Sequence, residues 1–354
     1  MSTMQTFDQD KLAAFMDKAV GNLSGTTATV LAFLGDRLGL FTALDARGPA
    51  TAEELAVRAG IDPRYALEWL RGMTAAGYVE FDGERFLLPP EQAQAFAAEG
   101  GPFFLAGAQQ ELIGMLGPLD ELTEAFRTGG GVPQSAYPAD AWDGMRRFSQ
   151  GWFDNLLLQE WIPAASEVRG KLETGARYAD VGCGSGLAVI KLADAFPNST
   201  FVGYDQFAGQ IERARANADA AGVADRVRFE VRDVATGLPE SFDVISTFDV
   251  VHDAIDPAAL LAGIHAALNP GGVYLMLEMN SADDPAENTG PLATLFYGFS
   301  VIYCMTTSLA HGGAGLGTCG CPPATVRALS AQAGFSSVEQ LPLDSPFNIL
   351  YAIR

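Results

Sequence analysis

The apolar positions of this chain change their period along its length. Between residues 8 and 38 they recur at three- and four-residue steps: Leu12, Phe15, Met16, Ala19 and Val20, then Val30, Leu31, Leu34 and Leu38. That spacing predicts two helices with packing faces. From 39 to 88 the punctuation is that of short helices followed by a hairpin. Thr51-Ala-Glu-Glu54 is a capping box opening a helix that Gly60 stops, and Asp62-Pro63 opens a second helix that ends at Gly77. Residues 78–81 and 84–88 read as strands about an Asp82-Gly83 turn. Together these elements predict a winged helix. Residues 89–174 read as mostly helical, broken by Gly129-Gly-Gly131, Pro133 and Pro138. Within them Trp142, Met145, Phe148, Trp152, Phe153 and Trp161 form an aromatic stretch, read as core or as one wall of a pocket.

From Arg177 onward the pattern alternates. Strands are expected at 178–181, 200–204, 227–231, 242–248, 273–277 and 347–353, with helices at 187–196, 208–221 and 258–268 between them. Repeated βα units of this kind imply a parallel sheet covered by helices on both faces. Segment 280–323 is the least regular part. It holds an apolar run at 292–303 and a glycine-rich run at 312–320, read as a source of mobility.

Composition narrows the function classes. Hydrophobic residues make up 48% and charged residues 18%, which is globular. The net charge of −21 opposes a nucleic-acid or anionic-membrane partner. In the winged-helix span eight acids outnumber five arginines, so a dimerising or structural module is favoured over a DNA reader. No apolar run of membrane-spanning length and no secretion signal is expected. Four cysteines are too few to staple a chain this long, which makes a reduced, cytoplasmic setting the expectation.

The chemistry gathers at the predicted strand ends. Tyr178-Ala-Asp180-Val-Gly182-Cys-Gly184-Ser-Gly186 ends a strand and opens a helix, a cradle for a nucleotide-like ligand. Acids stand at or past five strand ends: Asp180, Asp205, Asp233, Asp249 and Glu278. A carboxylate is acceptor-only, so Asp205, with its neighbour Gln206, suits a ribose diol. Asp233 suits an exocyclic amine of adenine, with Val234 offering a backbone N–H, and Asp249 suits an ammonium group. Any one of these acids also reads as a helix cap. Cys304, Cys319 and Cys321 with His311 lack paired zinc-ribbon spacing, so no metal is expected, and thiols lining a pocket are the reading.

The Asp-x-Gly-x-Gly-x-Gly run resembles motif I of the class I S-adenosylmethionine-dependent methyltransferases. The whole arrangement is similar to small-molecule O-methyltransferases with an N-terminal winged helix, and to bacterial winged-helix methyltransferases. The resemblance implies an α/β fold: a Rossmann-like seven-stranded sheet, six strands parallel and one antiparallel, with a mainly helical N-terminal domain containing the winged helix. It implies S-adenosylmethionine as cofactor, S-adenosylhomocysteine as product, and a small-molecule methyl acceptor. It also implies a histidine base in the His252-Asp253 pair, bracketed by Glu278. The sequence departs from the family where Ala254 replaces the usual tryptophan and where Gly320-Cys321-Pro322-Pro323 replaces the second acid. These departures keep thiol acceptors open beside hydroxyls. Expected domains are 1–90 (helical and winged-helix, dimerising), 91–174 (helical linker and substrate wall) and 175–354 (cofactor-binding, with a lid insertion at 280–323). A homodimer through the N-terminal helices is expected. Two other readings remain: a ligand-sensing transcription regulator on the same fold, and a nicotinamide oxidoreductase, whose wider glycine spacing is absent.

Overall fold

The computed structural model describes residues 7–354, and the chain divides into two compact units. The reading of the first residues as free of a secretion signal falls partly on 1–6, outside the described residues. The first unit runs to Gly114 and adds Ala139–Gly151; the second holds Met115–Pro138 and Trp152–Arg354. The span 91–174 is therefore shared between the two.

In the first unit the two helices expected at 8–38 are one, Gln9–Arg37. The polar stretch between the two apolar sets does not break it. Thr26, Thr27 and Thr29 turn their hydroxyls back onto the carbonyls of Asn22, Ser24 and Gly25, so their polar groups are satisfied within the helix. The winged helix follows as Leu40–Arg47, Ala52–Ala59 and Pro63–Ala75, then strands β1 (Glu80–Phe81) and β2 (Phe86–Leu87). The capping box forms as read, with Thr51 Oγ1 and the Glu54 carboxylate each taking the other's backbone N–H. The wing is shorter than expected, and its turn has four residues, not two. The Asp82 carboxylate accepts the amides of Glu84 and Arg85 and holds them out of the ladder. Three of the unit's arginines are engaged internally: Arg58 on the carbonyls of Ala43, Gly48 and Pro49, Arg85 on Glu54, and Arg64 on Glu68. Arg147 clamps Asp36 with two parallel bonds of 2.6 and 2.9 Å.

The second unit is a three-layer α/β structure. Its strands are β3 (Arg177–Val181), β4 (Thr200–Asp205), β5 (Val227–Val231), β6 (Phe242–Phe248), β7 (Leu268–Met279), β8 (Val338–Gln340) and β9 (Asn348–Ile353). Their order is β5-β4-β3-β6-β7-β9-β8. Strands β3 to β7 pair parallel, and β9 runs antiparallel between β7 and β8. Side chains alternate between two cores. Tyr178, Val244, Val273, Leu275 and Leu350 enter one; Ala179, Ile245, Tyr274, Met276 and Ile349 enter the other. The sheet order reverses between β3 and β6, so the carboxyl ends of these strands flank the crevice where such sheets take ligands.

Segment 280–323 is more regular than expected. Helix Gly290–Phe299 continues through a π turn, Ser300–Cys304, into Met305–Ala310. This run of 21 residues is long and apolar enough to cross a membrane by length and composition, as is the bent pair Gln9–Arg37 with Leu40–Arg47. Polar bonds tie the run into its own unit: Val132 N–H donates to the Thr306 carbonyl, Tyr137 Oη to the Ile302 carbonyl, and Ser308 Oγ to the Ala254 carbonyl. Gly313, Gly315, Gly317 and Gly320 in the 312–320 run sit where a Cβ would meet neighbouring atoms closely, while Gly312 faces open space. A Cβ on Gly317 would meet Ser300 Oγ at 2.0 Å, and the Gly317 and Ala314 amides donate to the carbonyls of His252 and Ile255.

Candidate active site

Two structures form the site: the glycine turn after β3, and the turn after β6. All three glycines have left-handed φ, at +73°, +52° and +81° for Gly182, Gly184 and Gly186. They are not equivalent. A Cβ on Gly182 would lie 2.6 Å from Val250, and one on Gly186 would lie 2.7 Å from the Phe229 ring. One on Gly184 meets nothing within 4 Å, so this residue bares its backbone to open space at the head of helix Leu187–Ala195. The Tyr204 carbonyl accepts the amides of Gly182 and Cys183, fastening the turn to β4.

Asp205 completes that fastening. One carboxylate oxygen accepts the Gly184 amide at 3.0 Å and the other accepts the Phe207 amide at 2.9 Å. Each oxygen keeps a lone pair for a ligand diol. Burial raises the Asp205 pKa against the pull of those two amides. Gln206 is exposed beside it. Asp180 lies underneath the turn, only 3% exposed, and accepts from Ser246 Oγ at 2.6 Å. Burial lifts its carboxyl to about 7, with the Asp205 charge adding and Ser246 opposing. It supports the turn and does not line the crevice. Asp233 is exposed and caps a short 3-10 turn through the Ala235 amide, while Val234 is buried.

The β6 turn is held by a buried carboxylate. Glu278, fully buried in β7, accepts the amides of Val251 (2.8 Å) and His252 (3.4 Å) and bonds His252 Nδ1 at 2.6 Å. His252 is 2% exposed, and its Nε2 lies 3.3 Å from Asp253 Oδ1. Burial works against a charged ring, but the Asp253 and Glu278 charges outweigh it, so the His252 pKa lies well above the ordinary histidine value. Just before this turn Asp249 takes φ +54°, a left-handed conformation that aspartate tolerates better than most residues. Asn348 Nδ2 reaches both its oxygens, at 3.1 and 3.3 Å. Burial and the Glu278 charge lift the Asp249 carboxyl to about 8, the His252 charge opposing.

The structure thus brings Asp205, Gly184, Asp249, His252 and Glu278 to one end of the sheet, with Asp180 beneath and Asp233 at its rim. Sequence reasoning missed Asn348 and Ser246. Both act across strands, and no local spacing announces them. Phe153 and Trp161 pack on Phe248, and Trp152 and Phe296 on Phe347, giving the sheet end an aromatic surround. An exposed glycine backbone, a carboxylate with open lone pairs and a second buried carboxylate fit a cofactor that carries a diol and a cation.

Known proteins give the same picture. Residues 172–296 match a family model described as a methyltransferase domain, and residues 26–97 match one described as an Rv2258c-like winged helix-turn-helix domain. The N,N-dimethyltransferase OxyT of Streptomyces rimosus is 31% identical over 269 residues, spanning 71% of this chain and 74% of that protein. A ubiquinone biosynthesis O-methyltransferase of Dinoroseobacter shibae is 30% identical over 152 residues. That match covers 41% of this chain and 60% of the relative, less than two thirds of its length. Among solved structures, mitomycin 7-O-methyltransferase superposes with a TM-score of 0.73 at 20% identity, covering 98% of this chain and 99% of that one. A putative O-methyltransferase of Nostoc punctiforme gives 0.71 at 19% identity, covering 96% and 99%. At these identities the superpositions speak for the fold.

The two glycine environments predict separable effects. Gly186→Ala drives a methyl into Phe229 at a left-handed φ and lowers stability by about 1–3 kcal/mol, read by chemical denaturation. Gly184→Ala has room in the fold, so it costs stability only through its φ, about 1 kcal/mol, and instead weakens cofactor binding in calorimetry. Equal cofactor affinity in Gly184→Ala and the unaltered protein would remove this turn from the binding site.

Proposed function

Because this chain belongs to the S-adenosylmethionine-dependent methyltransferases with an N-terminal winged helix, we propose that it methylates a small-molecule hydroxyl or thiol. The observation that carries the reading is the pairing of His252 with the fully buried Glu278, beside a glycine turn whose backbone faces open space. When bound, the cofactor supplies a methyl group already activated by its sulfonium. The chain's own work is alignment and proton handling. Alignment is worth up to about 7–11 kcal/mol in well-oriented systems. Asp205 and Gln206 hold the ribose diol, Gly184 offers its bare backbone to the cofactor while Gly182 and Gly186 let the turn close around it, and Asp233 with Val234 borders adenine. Asp249, fixed by Asn348, meets the ammonium group, and Asp180 braces the turn from below. Glu278 keeps the Nδ1 proton on His252, which aims Nε2 at the acceptor. From there the ring takes the acceptor's proton, a contribution of about a hundredfold to ten-thousandfold.

The name of OxyT supports a second reading, an amine acceptor. A neutral amine carries its own lone pair and leaves His252 as an electrostatic neighbour. Label transfer from radiolabelled S-adenosylmethionine to a panel of phenols, thiols and amines separates the two, with His252→Ala in parallel. The proposal expects phenol or thiol turnover that falls about a hundredfold or more in the variant. Turnover confined to amines and indifferent to His252 would replace it with the second reading.

We read the N-terminal helix as a homodimer surface and the compartment as cytoplasmic. Leu12, Phe15, Met16, Val20, Leu23, Val30 and Leu34 of Gln9–Arg37, with the capping Leu38, are 40–69% exposed at helical spacing, two apolar stretches on one face in need of a cover. The four free thiols suit a reducing setting. Leu23→Glu is expected to shift the mass measured by light scattering from two chains to one. A single-chain mass for the unaltered protein would refute the dimer.

A further inference from the structure

Two groups beside His252 have no part in methyl transfer as assigned above: the Asp253 carboxylate and the Cys304 thiol. A ring nitrogen of His252, a carboxylate oxygen of Asp253 and Cys304 Sγ all lie within 4.8 Å of one another. The nitrogen is Nε2, since Nδ1 is committed to Glu278. Its 3.3 Å separation from Asp253 Oδ1 is long for a charge-assisted bond, which runs about 2.7–2.9 Å. Asp253 Oδ1 is buried, and the Cys304 thiol is the neighbour that interacts with the carboxylate. The same separation is close to the edge of a tetrahedron, about 3.4 Å, whose corners are ligands about 2.1 Å from a central zinc ion. Beside the thiol, the Thr318 hydroxyl is buried and interacts with Cys304, with the residue 2% exposed. An imidazole whose other nitrogen is held by a carboxylate is the arrangement that metal-bound histidines use.

We propose that His252 Nε2, Asp253 Oδ1 and Cys304 Sγ form a site for a thiophilic divalent cation such as zinc, and that its occupancy silences methyl transfer by taking the Nε2 lone pair. The silencing rests on the base reading of His252; the metal site does not. Nitrogen, carboxylate and thiolate donors in one set select zinc or cobalt over magnesium or calcium. On binding, Cys304 releases its thiol proton to solvent and the metal replaces any proton on Nε2, so affinity rises with pH. This set shares only Cys304 with the cysteine and His311 grouping that the sequence spacing argued against.

The test is titration of the full-length, reduced protein with cobalt(II). One equivalent is expected to give a thiolate-to-cobalt charge-transfer band, displaced by zinc. The band should vanish in Cys304→Ser and persist in Cys319→Ser, and Asp253→Asn should weaken binding about tenfold or more. Absence of the band, or its survival in Cys304→Ser, overturns the site. If Cys304→Ser does not fold, unchanged cobalt affinity in Asp253→Asn does so instead. In the activity arm, one equivalent of zinc should suppress label transfer and a chelator should restore it. Transfer that continues with the metal bound overturns the silencing. A band in a protein that methylates no acceptor keeps the site and removes the methyl-transfer reading.

Discussion

The site depends on one buried carboxylate. Glu278 stands in β7 with no solvent exposure, a position where an unpaired charge would be severely penalised. It is tolerated because the chain returns three donors to it: the amides of Val251 and His252 and the His252 ring. The same three bonds fix the turn after β6. They set the imidazole's orientation, and with it the placement of Asp253 and the contacts of the 314–317 segment with His252 and Ile255. Removing Glu278 would free the turn as well as the ring. The glycine turn has its own anchor in Asp205 and the Tyr204 carbonyl, so the turns after β3 and β6 are fastened to neighbouring parts of one sheet.

Much of this was legible in the sequence, for physical reasons that can be named. Left-handed glycines must be glycines, so Gly182, Gly184 and Gly186 mark the turn without any structure. Parallel strands buried on both faces read as apolar runs that end abruptly at Asp205, Asp249 and Glu278. The seven strands and the single antiparallel strand also match what the resemblance implied, although Val338–Gln340 was not read as a strand from its own residues. Other features were not legible. Asn348 meets Asp249 across 99 residues, because β9 lies antiparallel beside β7 and no local pattern encodes that register. The long helix Gln9–Arg37 was read as two because its polar middle looks like a break. Its threonines satisfy themselves on helix carbonyls, which periodicity does not register. The glycines at 312–320 looked like hinges, but several are there because backbone and side chains approach too closely for a Cβ.

Asp180 and Asp205 show how environment separates like residues. Both end strands and both are buried, yet Asp180 is spent on Ser246 below the turn while Asp205 accepts two backbone amides of the turns beside it. An acid at a strand end is therefore a weaker signal than its hydrogen-bond partners. The strongly acidic surround of His252 is equally specific. It raises the ring's proton affinity, because the Asp253 and Glu278 charges favour the imidazolium against the cost of burial.

That dependence offers the most direct test. The pH dependence of kcat/KM should be measured for the unaltered protein and for Glu278→Gln with the same acceptor. The account predicts a rate that rises toward alkaline pH as His252 deprotonates. In Glu278→Gln the rising limb should move to lower pH, because a charge that stabilises the imidazolium is gone, and the maximal rate should fall as the ring loses its orientation. A limb that stays where it was would contradict the assignment of His252 and Glu278 as the proton-handling pair.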